Sequence, residues 1–71
     1  MNSMFKDCIN LKEIAGIENW DMSNVENINN MFYGCKEFNQ NISNWNTSNI
    51  KSKHKWFKGS GLMFKNVPDN F

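Results

Sequence analysis

With 71 residues and a net charge of +1, the chain is at most one small domain, with no general attraction for nucleic acid or membrane. No apolar run approaches the ~20 residues that cross a bilayer, and the opening Met1-Asn2-Ser3-Met4-Phe5-Lys6 lacks the basic-then-apolar plan of a secretion signal. Fourteen asparagines, eight lysines and no arginine point to a backbone that turns often, because Asn adopts tight turns and hydrogen-bonds its own backbone.

In chain order, the first predicted element is Met4-Phe5-Lys6-Asp7-Cys8. With Leu11 it sets apolar side chains at intervals of three, which predicts one or two helical turns capped by Ser3. Leu11-x-x-Ile14-x-x-Ile17 then reads as a short extended edge, bent at Gly16. Asn19-Trp20-Asp21-Met22-Ser23-Asn24-Val25 reads as a polar corner leading into a strand.

Both phrases return. Met31-Phe32-Tyr33-Gly34-Cys35 follows Asn29-Asn30 and repeats the first, and Asn44-Trp45-Asn46-Thr47-Ser48-Asn49-Ile50 repeats the second. Trp56-Phe57-Lys58-Gly59-Ser60 is a worn third copy of the first phrase, and Pro68 suits the end of a stack because it cannot donate to a ladder.

A fixed period in the twenties marks an array whose units bury their apolar faces against one another. The columns are Phe5/Phe32/Phe57, Cys8/Cys35/Ser60, Leu11/Phe38/Met63, Ile17/Ile42/Val67, Trp20/Trp45 and Val25/Ile50. They predict an α/β fold: a short right-handed leucine-rich-repeat-like solenoid of two to three turns, each a short helix plus a short strand. The expected single repeat domain spans residues 1–71, with repeats one, two and three at about 3–27, 28–52 and 53–71, the last a degenerate cap. Because Met1 falls in mid-repeat, the chain reads as a piece of a longer array or a short descendant of one.

Four constellations bear on chemistry. Cys8 and Cys35 share a column, so they are expected to be neighbours, as small buried side chains rather than a disulfide, since Ser60 takes the third place. Two cysteines and one histidine at no recognised ligand spacing predict no metal and no cofactor. His54 lacks an arguable partner or cleft, so the chain is expected not to be an enzyme. Asp21 becomes Asn46 in the second copy, so that column needs a capping oxygen rather than a charge.

Lys51-Ser52-Lys53-His54-Lys55-Trp56-Phe57-Lys58 is the sole charge run, and Lys51, Lys53, His54, Lys55 and Lys58 are the candidate partner-binding residues. Basic residues beside aromatic rings can also grip single-stranded nucleic acid, which makes a small nucleic-acid-binding protein the alternative function. The absence of arginine removes the bidentate fork that reads bases, and a solvated cap with Trp56 and Phe57 turned inward explains the run as well.

The phrase Met31-Phe32, then Phe38-Asn39-Gln40-Asn41-Ile42-Ser43-Asn44-Trp45-Asn46-Thr47-Ser48-Asn49-Ile50, resembles the BspA-like leucine-rich-type repeat of bacterial surface proteins. Met4, Phe5, Trp20, Asp21, Ser23, Asn24 and Val25 carry the likeness in repeat one. The resemblance implies a non-catalytic protein-interaction module serving adhesion or host-protein binding, at the cell surface or secreted as part of a longer exported protein. The open first repeat further predicts self-association, two first repeats joining end to end.

Overall fold

The computed structural model describes residues 1–69 and 71. The expected solenoid of helix-plus-strand turns is not seen. Among the described residues, regular structure is limited to two three-residue 3₁₀ helices, Ile17–Asn19 and Phe64–Asn66, and one parallel bridge between Asn27 and Ser52.

In place of the predicted helices stand strips of consecutive β-turns. In repeat one, the N–H of Met4, Lys6 and Cys8 bond back to the carbonyls of Met1, Ser3 and Phe5; in repeat two, Met31, Tyr33 and Cys35 bond back to Ile28, Asn30 and Phe32. Every fourth residue is left-handed: Ser3 and Asp7, Asn30 and Gly34, Lys55 and Gly59 all have φ between 52° and 76°. A left-handed residue at the third position of a turn interrupts any α-helix, and Gly supplies it without steric penalty. The spacing of three that suggested a helix fits a turn strip equally well. The predicted extended edge over Leu11–Ile17 ends instead in the Ile17–Asn19 3₁₀ turn, entered through Gly16 at φ 76°.

The turn strips turn their remaining peptide groups toward each other. The N–H groups of Ser3, Phe5 and Asp7 donate to the carbonyls of Asn29, Met31 and Tyr33, at 2.8, 2.9 and 2.6 Å. One repeat further, Ile28, Asn30, Phe32 and Gly34 donate to Ser52, His54, Trp56 and Lys58, at 2.9, 3.0, 2.7 and 2.9 Å. These bonds lie on alternate residues, so a strip can close its own turns and still bond both neighbours. Asparagine and serine complete the corners. Asp21, Asn41 and Asn46 each accept from the N–H and hydroxyl of the serine two residues on. Asn29 Oδ1 accepts from the Ser52 hydroxyl and the His54 N–H, and Asn39 Oδ1 from the Met63 N–H and the Asn66 amide.

The core lies between the strips and is built from repeat two. Ile28, Met31, Phe32, Cys35, Phe38, Ile42 and Trp45 are all buried, joined by Ile17, Met22, Trp56, Leu62 and Val67 from either side. Phe5 stacks on Phe32 with centroids 5.5 Å apart, Phe32 on Phe38 at 4.3 Å, and Trp20 on Trp45 at 6.5 Å. The buried Trp45 indole donates to the Ile17 carbonyl at 2.9 Å, so the repeated tryptophan is also a polar tie between repeats.

Two columns depart from expectation. Met63 is 54% exposed and the neighbouring Leu62 is buried in the core instead. The cause is Gly61: its N–H bonds the Cys35 carbonyl, and a Cβ there would lie 2.6 Å from the Lys36 oxygen, so the chain runs in contact with repeat two and shifts by one residue. Cys8 is exposed, with only Cys35 buried, and no disulfide joins them. The Cys35 thiol donates to the Phe5 carbonyl, which also accepts from the Cys8 N–H, and burial pushes the Cys35 thiol above its ordinary range.

Candidate interaction groove

Repeat three begins with the lysine run, and the ladder fixes how it lies. Because Asn30, Phe32 and Gly34 donate to His54, Trp56 and Lys58, the run is pinned along repeat two, with Trp56 in the column of Met31. Trp56 is buried, Phe57 is half-buried, and Lys53, Lys55 and Lys58 are exposed. The larger ring in a methionine's place has a polar consequence: the buried Trp56 Nε1 finds no acceptor among the described residues, a loss of about 1–3 kcal/mol for such a group.

Phe71 closes the arrangement from the far end of the chain. Its ring lies 6.2 Å from Trp56, edge to face, and Lys53 Nζ stands 4.2 Å over its centroid. Trp56 and Phe57 are tilted together at 4.7 Å. Between these side chains runs an open groove of 280 Å³, lined by Lys53, Lys55, Trp56, Phe57, Lys58 and Phe71. Pockets for drug-sized ligands measure roughly 300–1,000 Å³, so this smaller groove suits one or two inserted side chains. Its floor is aromatic and its rim carries three ammonium groups.

Of the candidate residues named from sequence, Lys53, Lys55 and Lys58 meet at this groove. Lys51 and His54 do not line it. Lys51 reaches Glu26 at 3.9 Å across exposed surface, a pair worth at most ~1 kcal/mol. His54 acts through its backbone, accepting from Asn30 and donating to Asn29. Sequence reasoning missed Phe71, which falls in no repeated column. It also missed Phe64, the most exposed large apolar side chain at 88%, standing beside Met63. Among the described residues, no group of three or more His, Cys, Asp or Glu lies close enough to hold a metal ion. Nor, among those residues, is any helix long and apolar enough to cross a membrane.

The repeated phrases run almost end to end along the chain. A family model described as "Mycoplasma protein of unknown function, DUF285" matches residues 1–70. The chain belongs to that family. No curated protein and no solved structure matches this DUF285 chain.

Proposed function

We propose that this DUF285 chain is a non-catalytic protein-interaction module whose groove takes an acidic protein segment through one inserted apolar side chain. The observation that carries this reading is the pairing of an aromatic floor with a rim of three lysines. Carboxylates flanking the inserted side chain meet the ammonium groups, which favours encounter and sets orientation. The likeness of its phrases to BspA-like repeats supports a setting at the cell surface, in adhesion or host-protein binding. Single-stranded nucleic acid is the weaker reading, because stacking a base needs an open ring face. Trp56 is buried, and its ring packs on Phe57 and Phe71 rather than facing water.

A titration followed by the three indole N–H resonances decides between them. A short peptide of Asp and Glu around one Phe is expected to shift the Trp56 resonance alone. Lys58→Glu should weaken that binding about tenfold, and salt should weaken it modestly. An oligothymidylate that binds with a steep salt slope while the peptide leaves Trp56 unmoved would overturn the proposal.

A further inference from the structure

The hydrogen-bond chains that link the three turn strips point one way. Phe5 N–H donates to the Met31 carbonyl, the next N–H, of Phe32, donates to Trp56, and the pattern repeats from Ser3 through Asn29 and Asn30 to His54, and from Asp7 through Tyr33 and Gly34 to Lys58. Each chain therefore begins and ends at an open peptide group. In repeat three the N–H groups of Lys55, Phe57 and Gly59, equivalents of Asn30, Phe32 and Gly34, have no acceptor among the described residues. In repeat one the carbonyls of Asn2, Met4 and Lys6, equivalents of Asn29, Met31 and Tyr33, accept from none of them. One edge of the molecule is a row of donors and the opposite edge a row of acceptors in the same register.

We infer that these two rows form one interface, repeat three of one copy docking on repeat one of a second copy. Lys55, Phe57 and Gly59 donate to Asn2, Met4 and Lys6 of the second copy, continuing the internal ladder by one step. The half-buried Phe57 then meets the second copy's Phe5 as Phe32 meets Phe5 within one chain. Met4, 52% exposed, comes to rest over Trp56. Joining two first repeats would instead set carbonyl row against carbonyl row, so the joint is head to tail. Such an interface uses two different surfaces and does not close, so association is open-ended. One contact opposes it: Lys6 of one copy stands over Lys58 of the other, so added salt strengthens assembly.

The interface rests on backbone rows but covers Lys55, Trp56, Phe57 and Lys58, which also line the groove, so a second copy and an acidic segment compete for this end of the molecule. Lys58→Glu weakens peptide binding but relieves the Lys6–Lys58 repulsion, so it should promote assembly. The test is sedimentation over a range of concentrations, with two altered chains. Methylating the Phe57 nitrogen by chemical synthesis removes a donor that has no acceptor among the described residues, so the near-ultraviolet dichroism of the tryptophans should be kept. Met4→Glu puts a charge on the exposed acceptor edge. Each altered chain is expected to be monomeric alone, and the two together should form a one-to-one pair that grows no further. The parent should grow in mass with concentration beyond a dimer, and more so in salt. A parent that stays monomeric or stops at a dimer would overturn the inference, as would a methylated chain that assembles like the parent or altered chains that fail to pair when mixed.

Discussion

Asp21 shows how one residue type is used by position rather than by charge. Its carboxylate accepts from the Ser23 hydroxyl at 2.6 Å and the Ser23 N–H at 3.0 Å, and these bonds hold its pKa below the ordinary 3.8. Because the folded value is depressed, the bonds' contribution is present above the ordinary value and is lost as pH falls through the folded one. Asn46 makes the same two bonds without titrating. Asp21→Asn should therefore keep the neutral-pH melting temperature within a degree or two and lose less stability on acidification than the parent. Thermal melts across the acid range measure this, and an unchanged acid profile would mean that the carboxylate gains nothing from Ser23. This role was legible in the sequence, because Asp21 and Asn46 share a column. The left-handed sites were not: Ser3, Asn30 and Lys55 have nothing in common as residue types, and only Gly34 and Gly59 hinted at positive φ.

At the scale of the repeat, apolar columns were readable and local conformation was not. Phe5/Phe32/Phe57 and Ile17/Ile42/Val67 face the core because stacking demands like beside like, whatever the backbone does between. Met-Phe-x-x-Cys does not distinguish a helix from a turn strip, since both bring every third residue to one side. What decides is whether the N–H groups bond within the strip or across to a neighbour, and sequence periodicity carries no trace of that. Leu62 replacing Met63 has the same origin, in the backbone contact at Gly61. Phe32 sits where the columns cross, fully buried and within 6.4 Å, centroid to centroid, of Phe5, Phe38, Trp45 and Trp56. Phe32→Ala should cost ~3–5 kcal/mol, and Phe5→Ala clearly less because Phe5 is already half-exposed. Urea denaturation of both variants tests the order, and a larger loss at Phe5 would contradict the packing.

For the molecule as a whole, stability is shared between repeats rather than held within any one. Removing residues 53–71 strips the acceptors from Asn30, Phe32 and Gly34 and uncovers Met31 and Phe32, which Trp56 now encloses. A chain cut back to residues 1–52 should therefore show neither slow amide exchange nor near-ultraviolet dichroism, and a shortened chain with both would mean that two repeats suffice. The groove was half legible at this scale: the lysines and Trp56 lie together in sequence, whereas Phe71 reaches them only through the fold. The shared direction of the peptide groups that link the turn strips has an electrostatic consequence of its own. Alternate peptide dipoles add along the stack as they do along an α-helix, leaving partial positive charge at the Lys55–Gly59 end and partial negative charge at the Asn2–Lys6 end. The three ammonium groups at the groove therefore sit on the end of the molecule that its own backbone already makes electropositive, so an anion arriving there is drawn by side chains and main chain together.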